Sequence, residues 1–99
     1  MKTANKTANT YNGWSNYETW AVNLWLENEE SSYRYWREAA GWAKQRGSKQ
    51  TAVIALANRL KSELTEQAPD LGASVWSDLL NAALGEVDWD EIAEHLLTP

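Results

Sequence analysis

The chain contains one histidine, His95, and its neighbours decide what imidazole chemistry is available. Glu91 precedes it by one helical turn and Glu94 is adjacent, so a metal site would need further ligands from other helices. The di-iron bundle pattern requires Glu-x-x-His, but position 92 is isoleucine. We therefore interpret His95 as a surface residue near a helix C-terminus, where partial positive charge is stabilising. The sequence predicts no metal site and no cofactor.

Other catalytic groups are few. The chain has no cysteine, which excludes disulfides, thiolate zinc sites and cysteine nucleophiles. No G-x-S-x-G motif precedes a predicted helix, and no glycine-rich phosphate-binding sequence is present. Most acidic residues fall at helix starts or on solvent-facing sides, where carboxylates cap helices or are solvated. These observations favour a non-catalytic protein.

The segment YRYWR at 33–37 alternates aromatic with basic residues, a combination that binds single-stranded nucleic acid through stacking and charge. Helical spacing points Tyr33 and Trp36 inward, which leaves the arginines on a solvated face. Nucleic-acid binding is therefore the alternative function. Its candidate residues are Arg34, Arg37, Lys44, Arg46 and Lys49.

Charge is distributed unevenly along the chain, whose net charge is −5. Residues 1–50 hold seven Lys/Arg and five Asp/Glu, whereas residues 51–99 hold two Lys/Arg and nine Asp/Glu. An acidic chain is a poor general ligand for nucleic acid, because cations supply most non-specific affinity. The acidic half could instead imitate nucleic-acid phosphates, or it could be a solvated face with helix caps. The candidate acidic residues are Glu86, Asp88, Asp90 and Glu94.

Five segments have the 3.6-residue apolar period of helices, and none alternates apolar and polar residues as a half-buried strand would. Ser15 and Glu18 have capping-box spacing at the first helix, and Asp88 and Glu91 have it at the last. The predicted fold is all-α, a compact single-domain bundle of four to five helices. The first four helices are predicted to span about 15–27, 31–46, 49–67 and 72–84, and the fifth to begin at 88.

Residues 1–13 are polar and aperiodic, so the sequence predicts a flexible tail at 1–13 and one helical domain at 14–99. The first residues lack the apolar run of a secretory signal, and no segment is long and apolar enough to span a membrane. We expect a cytoplasmic protein.

The chain has seven tryptophans, four tyrosines and no phenylalanine. Those on apolar stripes are predicted to be core, and those off the stripes are available as binding anchors, since exposed aromatics are enriched at interfaces. The tryptophans predicted to be core are Trp20, Trp25, Trp36, Trp76 and Trp89. The off-stripe aromatics are Trp14, Tyr35 and Trp42.

Two segments of the sequence resemble a known family of proteins. NYETWAVNLWLENEESSYRYWREAA at 16–40 and VDWDEIAEHLL at 87–97 resemble, in order and spacing, a family of small proteins encoded by bacteriophages, plasmids and other mobile elements. The resemblance implies a setting, namely an accessory protein expressed in a bacterial host. By analogy, such a protein acts by binding a host protein.

Our leading hypothesis is therefore a non-catalytic protein that binds a host protein and inhibits a defence system such as a restriction or CRISPR nuclease. Arg34, Tyr35 and Trp42 are the expected anchors, and the acidic face at 86–94 is the second candidate surface. One aromatic face could also serve self-association.

Overall fold

The computed structural model describes residues 10–98, which fold into five α-helices. The predicted all-α architecture is confirmed: within this range the one β-type pairing is an isolated bridge between Tyr11 and Trp14. No helix among these residues is long and apolar enough to cross a bilayer. The helices are α1 Tyr17–Asn28, α2 Glu30–Lys44, α3 Lys49–Gln67, α4 Val75–Glu86 and α5 Trp89–Leu97.

The core lies where α3 packs against α5 and α2. Leu56, Leu60 and Ile92 are fully buried at its centre, as the apolar stripes of α3 and α5 predict. Trp36 and Trp89 are also buried, which confirms two of the five tryptophans assigned to the core.

Helix α1 is rotated relative to the prediction. Its buried residues are Thr19, Asn23 and Leu26, whereas Trp25, predicted to be core, is exposed together with Tyr17. The capping-box prediction for Ser15 and Glu18 is wrong: Asn16 caps the helix by accepting from the Thr19 backbone N–H at 2.9 Å.

Hydrogen bonds to the start of α5 account for this rotation. The hydroxyl of Thr19 accepts from the backbone N–H of Asp88 at 2.9 Å. The hydroxyl of Ser15 donates to the Glu91 carboxylate at 2.6 Å, and the amide of Asn16 donates to the Glu86 carbonyl at 2.7 Å. These bonds turn the polar side of α1 inward and its large aromatics outward.

Helix α4 also departs from the prediction, because none of its residues is buried. Trp76, predicted to be core, is exposed together with Val75 and Leu79, while Leu80 and Ala83 are partly buried. The helix packs against α1, and its apolar side is wider than that contact.

The N-terminal prediction is only partly covered by the described residues, since residues 1–9 lie outside them. Residues 10–13 belong to a turn in which Tyr11 and Trp14 exchange backbone hydrogen bonds of 2.8 Å. The Tyr11 ring packs edge-on against Tyr17 and Trp20, at centroid distances of 5.1 and 4.9 Å. Trp20 is therefore partly buried beneath this turn rather than in the core.

Candidate protein-binding surface

A groove of about 760 Å³ opens between the end of α1, the start of α2 and the end of α3. Trp25, Tyr35 and Leu64 contribute apolar surface to it, and Trp36 and Leu26 connect it to the core. Its remaining lining residues are polar or acidic: Asn28, Glu29, Ser31, Ser32, Glu63 and Gln67. An apolar hollow with a polar rim is the usual anatomy of a protein interface.

Tyr35 is held in this groove by a network from α3. Its hydroxyl donates to Glu63 at 2.8 Å and accepts from Arg59 at 2.9 Å, while Arg59 Nε donates to Glu63 at 2.8 Å. The Arg59 guanidinium also lies 5.3 Å from the Tyr35 ring centroid and 5.9 Å from that of Trp36. The tyrosine ring is thus ordered before any partner binds, which lowers the entropic cost of binding.

The charges in this network stabilise each other. The hydrogen bond from Arg59 lowers the pKa of the Glu63 carboxyl, with Tyr35 acting in the same direction and partial burial opposing both. The bonds to Glu63 and Tyr35 raise the pKa of Arg59. Both groups are therefore ionised at neutral pH.

A second, smaller groove continues along α2 and α3. Trp42 and Arg46 line it together with Arg59, which links it to the Tyr35 network. Trp42 follows Tyr35 by two helical turns, so both project toward the same side of α2. We call this surface the aromatic seam. It consists of Trp25, Tyr35, Trp42, Arg46 and Arg59.

The structure places only some of the predicted anchors in the aromatic seam. Tyr35 and Trp42 both lie in the aromatic seam and are exposed, as their off-stripe positions predict. Arg34 lines neither groove; its exposed side chain pairs with Glu30 at 2.7 Å along α2. The third off-stripe aromatic, Trp14, is partly buried against the core and is therefore not an exposed anchor.

The five residues of the nucleic-acid alternative do not form one face. Arg37 donates to the carbonyls of Leu96 and Thr98 at the end of α5, at 3.0 and 3.4 Å. Lys44 and Lys49 line a separate hollow beside that end, whereas Arg46 lies in the aromatic seam. Arg34, as described, points to another side of α2.

The acidic candidates are also distributed. Asp88 is the N-cap of α5 and accepts from the Glu91 backbone N–H at 3.1 Å, which confirms one half of the predicted capping box. It lines a shallow hollow with Glu86 and Asp90, and Lys61 lies in the same hollow. Glu94 lies on another side, near Trp14 and His95. These carboxylates therefore make no single extended array.

His95 connects α5 to α1. Its Nε2 lies 2.7 Å from a Glu27 carboxylate oxygen, and its ring packs edge-on to Trp14 at 5.1 Å. Across residues 10–98, no three His, Cys, Asp or Glu side chains are grouped closely enough to hold a metal ion. The imidazole thus has a packing and hydrogen-bonding role.

The sequence interpretation missed Trp25, Arg59 and Glu63 as members or supports of the aromatic seam. The Arg59–Glu63 spacing does indicate an i,i+4 ion pair on a helix. Its contact with Tyr35 crosses from α3 to α2, and no local pattern reports such a contact.

Fold and surface together define a small all-α protein with an exposed aromatic seam along α1, α2 and α3. The chain belongs to the family of unknown function DUF7249, whose profile matches residues 7–97. No curated protein sequence and no solved structure shows significant similarity to this chain. The family match includes both sequence blocks described above.

Proposed function

We propose that this chain is a non-catalytic module that binds a protein of the bacterial host through the aromatic seam. The observation that carries the proposal is the exposure of Trp25 and Trp42, which are 72% and 65% accessible on either side of an ordered Tyr35. Tryptophan, tyrosine and arginine are the residues most enriched at the energetic centres of protein interfaces.

A protein partner suits this surface better than a nucleic acid. Of the two arginines in the aromatic seam, Arg59 is already bonded to Glu63, so few cations remain for phosphates. Of the other cationic candidates, Arg37 is bonded to the end of α5, beside the hollow that Lys44 and Lys49 line, and Arg34 lies apart, paired with Glu30. Nucleic-acid affinity depends on neutralising several phosphates along one track.

The proposed setting rests on the resemblance to proteins of mobile elements. For such an accessory protein, we propose that the partner is a defence protein such as a restriction or CRISPR nuclease, and that binding inhibits it. The chain would then lower the rate at which the purified nuclease cleaves DNA, without cleaving DNA itself.

The test is affinity capture from nuclease-treated bacterial lysate with a tagged wild-type chain and a Trp25→Ala/Trp42→Ala variant. We expect one near-stoichiometric protein on the wild type and at least tenfold less on the variant. An Ile54→Ala chain is the matched control, since Ile54 is an exposed apolar residue of α3 outside the aromatic seam. It should capture as much as the wild type.

Equal capture by wild type and seam variant would contradict the proposal. Recovery of nucleic acid alone, and only when nuclease is omitted, would favour the alternative function at the basic residues between Arg34 and Lys49. Circular dichroism of each variant checks that its helices remain formed.

A further inference from the structure

A second exposed surface lies on α4, apart from the aromatic seam. Four of the eleven exposed large hydrophobic residues of the described chain fall within residues 71–79. Val75, Trp76 and Leu79 are 60%, 66% and 56% accessible, and Leu71 precedes them. We call these four residues the α4 face.

The helix that carries this face is well formed. The Ser74 hydroxyl caps it by accepting from the Ser77 backbone N–H, and the Ser77 hydroxyl accepts in turn from the Ser74 backbone N–H. On a helical projection, Leu80 and Leu84 point toward the rest of the domain, and Val75 and Leu79 point to the adjacent side. Helix α4 is thus apolar on two sides but packed on one.

The clustering of these side chains indicates binding. Scattered exposed apolar residues are normal on soluble proteins, whereas here four large ones fall within nine residues, and contiguous apolar patches mark interaction sites. A twelve-residue helix is also marginal in isolation. Packing a partner against its open side would bury apolar surface and stabilise α4 together with the complex.

The acidic residues of the chain segment that carries the α4 face favour a basic partner. Residues 62–98 contain nine Asp/Glu and no Lys or Arg, so the α4 face lies in a wholly acidic segment apart from His95. Asp70 and Glu86 flank the α4 face along the chain, and Asp78 lies at its edge. An apolar partner surface with flanking cations would match both the face and its rim.

A second copy of the chain fits less well. Two-fold antiparallel pairing of α4 about the midpoint between Trp76 and Leu79 would bring both Asp78 carboxylates within about one helical turn. Like charges placed together at an interface are unfavourable, and α4 has no basic residue to compensate.

We propose that the α4 face binds an amphipathic helix of a partner protein, with lysines and arginines on both sides of its apolar stripe. A helix is the suitable shape because the Val75–Leu79 ridge fits the grooves between side chains of a facing helix. This site is independent of the aromatic seam and does not require the proposed host partner.

The probes are two synthetic 18-residue amphipathic peptides with the same leucine stripe, one flanked by Lys/Arg and one by Glu. Binding to the full chain is measured by fluorescence anisotropy. We expect the basic peptide to bind at least tenfold more tightly than the acidic one, and to lose at least tenfold in affinity for Val75→Ser/Leu79→Ser. Ile54→Ser, the matched control, should bind like the wild type.

A charge substitution at Asp78 tests the electrostatic part of the proposal separately from the apolar part. Asp78→Lys should weaken binding of the basic peptide severalfold and strengthen binding of the acidic peptide. This variant also tests the proposal if Val75→Ser/Leu79→Ser unfolds. Equal binding of both peptides, no binding of either, or unchanged binding by Val75→Ser/Leu79→Ser would each overturn it. So would a wild-type oligomer that Leu79→Ser dissociates, because a second copy would then occupy the face.

Discussion

Thr19 and Asp88 show how a few polar residues orient a helix. Thr19 is fully buried, and its hydroxyl accepts the backbone N–H that precedes α5. Ser15 and Asn16 bond to the same region through Glu91 and Glu86. The residues of the two sequence blocks thus contact each other directly, so the NYETW string has a structural role.

Replacing Thr19 by valine tests this role, because valine keeps the shape and removes the hydroxyl. The Asp88 N–H would lose its partner in a partly buried position, at a cost of about 1–3 kcal/mol. Urea denaturation should report this loss, and Thr19→Ser, which keeps the oxygen, should lose less. A larger loss in Thr19→Ser than in Thr19→Val would assign the contribution of Thr19 to its methyl group.

Glu63, which supports the aromatic seam, makes the free energy of unfolding depend on pH. Since Arg59 lowers its pKa in the folded state, its stabilising contribution is present above the ordinary carboxyl pKa of about 4.5 and is lost as pH falls through the lower folded value. Wild type should therefore exceed Glu63→Gln in stability at pH 7, by no more than about 1 kcal/mol for this surface pair.

The measurement is urea denaturation of both proteins at pH 7 and at pH 3. We expect the difference between them to shrink at the lower pH. A difference that stays constant would mean that the Glu63 carboxylate charge does not stabilise the fold.

At the scale of elements, the helices differ in how firmly they are held. Helix α3 buries five residues and α5 also buries five, whereas α4 buries none. Local opening free energy follows buried apolar contact. The partner surface proposed on α4 is thus carried by the helix with the least internal support.

Hydrogen exchange checks this ranking. Amides in the middle of α4 should exchange through local opening, with protection well below that of α3 amides near Leu56 and Leu60. Ser74→Ala removes the N-cap, at a typical cost of about 1 kcal/mol, and should accelerate exchange in α4 while leaving α3 unchanged. Equal protection in the two helices would show that α4 opens only with the whole domain.

Over the whole molecule, large apolar side chains occur both in the core and on exposed surfaces. Leu60 is fully buried, whereas Trp25 is mostly exposed. The same apolar character therefore has opposite consequences at the two positions: removing Leu60 leaves a cavity, and removing Trp25 changes only the surface of a groove.

Thermal and urea denaturation of Leu60→Ala and Trp25→Ala should separate these consequences. We expect Leu60→Ala to lose about 2–5 kcal/mol, a large part of the roughly 5–15 kcal/mol that stabilises a domain. Trp25→Ala should stay within about 0.5 kcal/mol of wild type, as surface substitutions usually do. A large loss in Trp25→Ala would show that its ring supports the fold, and the capture experiment would then need a different seam variant.

Local sequence patterns were sufficient for the helices. Apolar stripes of α3 and α5, with Asp88 as an N-cap, led to the correct class and to most of the core. These patterns act within a few residues, because helix periodicity and capping depend on neighbours three or four positions apart. The exposure of Tyr35 and Trp42 followed from the same reasoning.

For α1 and α4, the direction that the apolar side faces depended on the tertiary structure. Helix α1 is apolar around most of its circumference, so periodicity alone could not choose its buried side; the bonds from Ser15, Asn16 and Thr19 to residues about seventy positions later did. The same holds for α4, whose apolar stripe is indistinguishable in sequence from a core stripe. Whether such a stripe is buried or exposed depends on which other helices pack against it. Those helices are distant in the sequence, so local patterns do not determine the outcome.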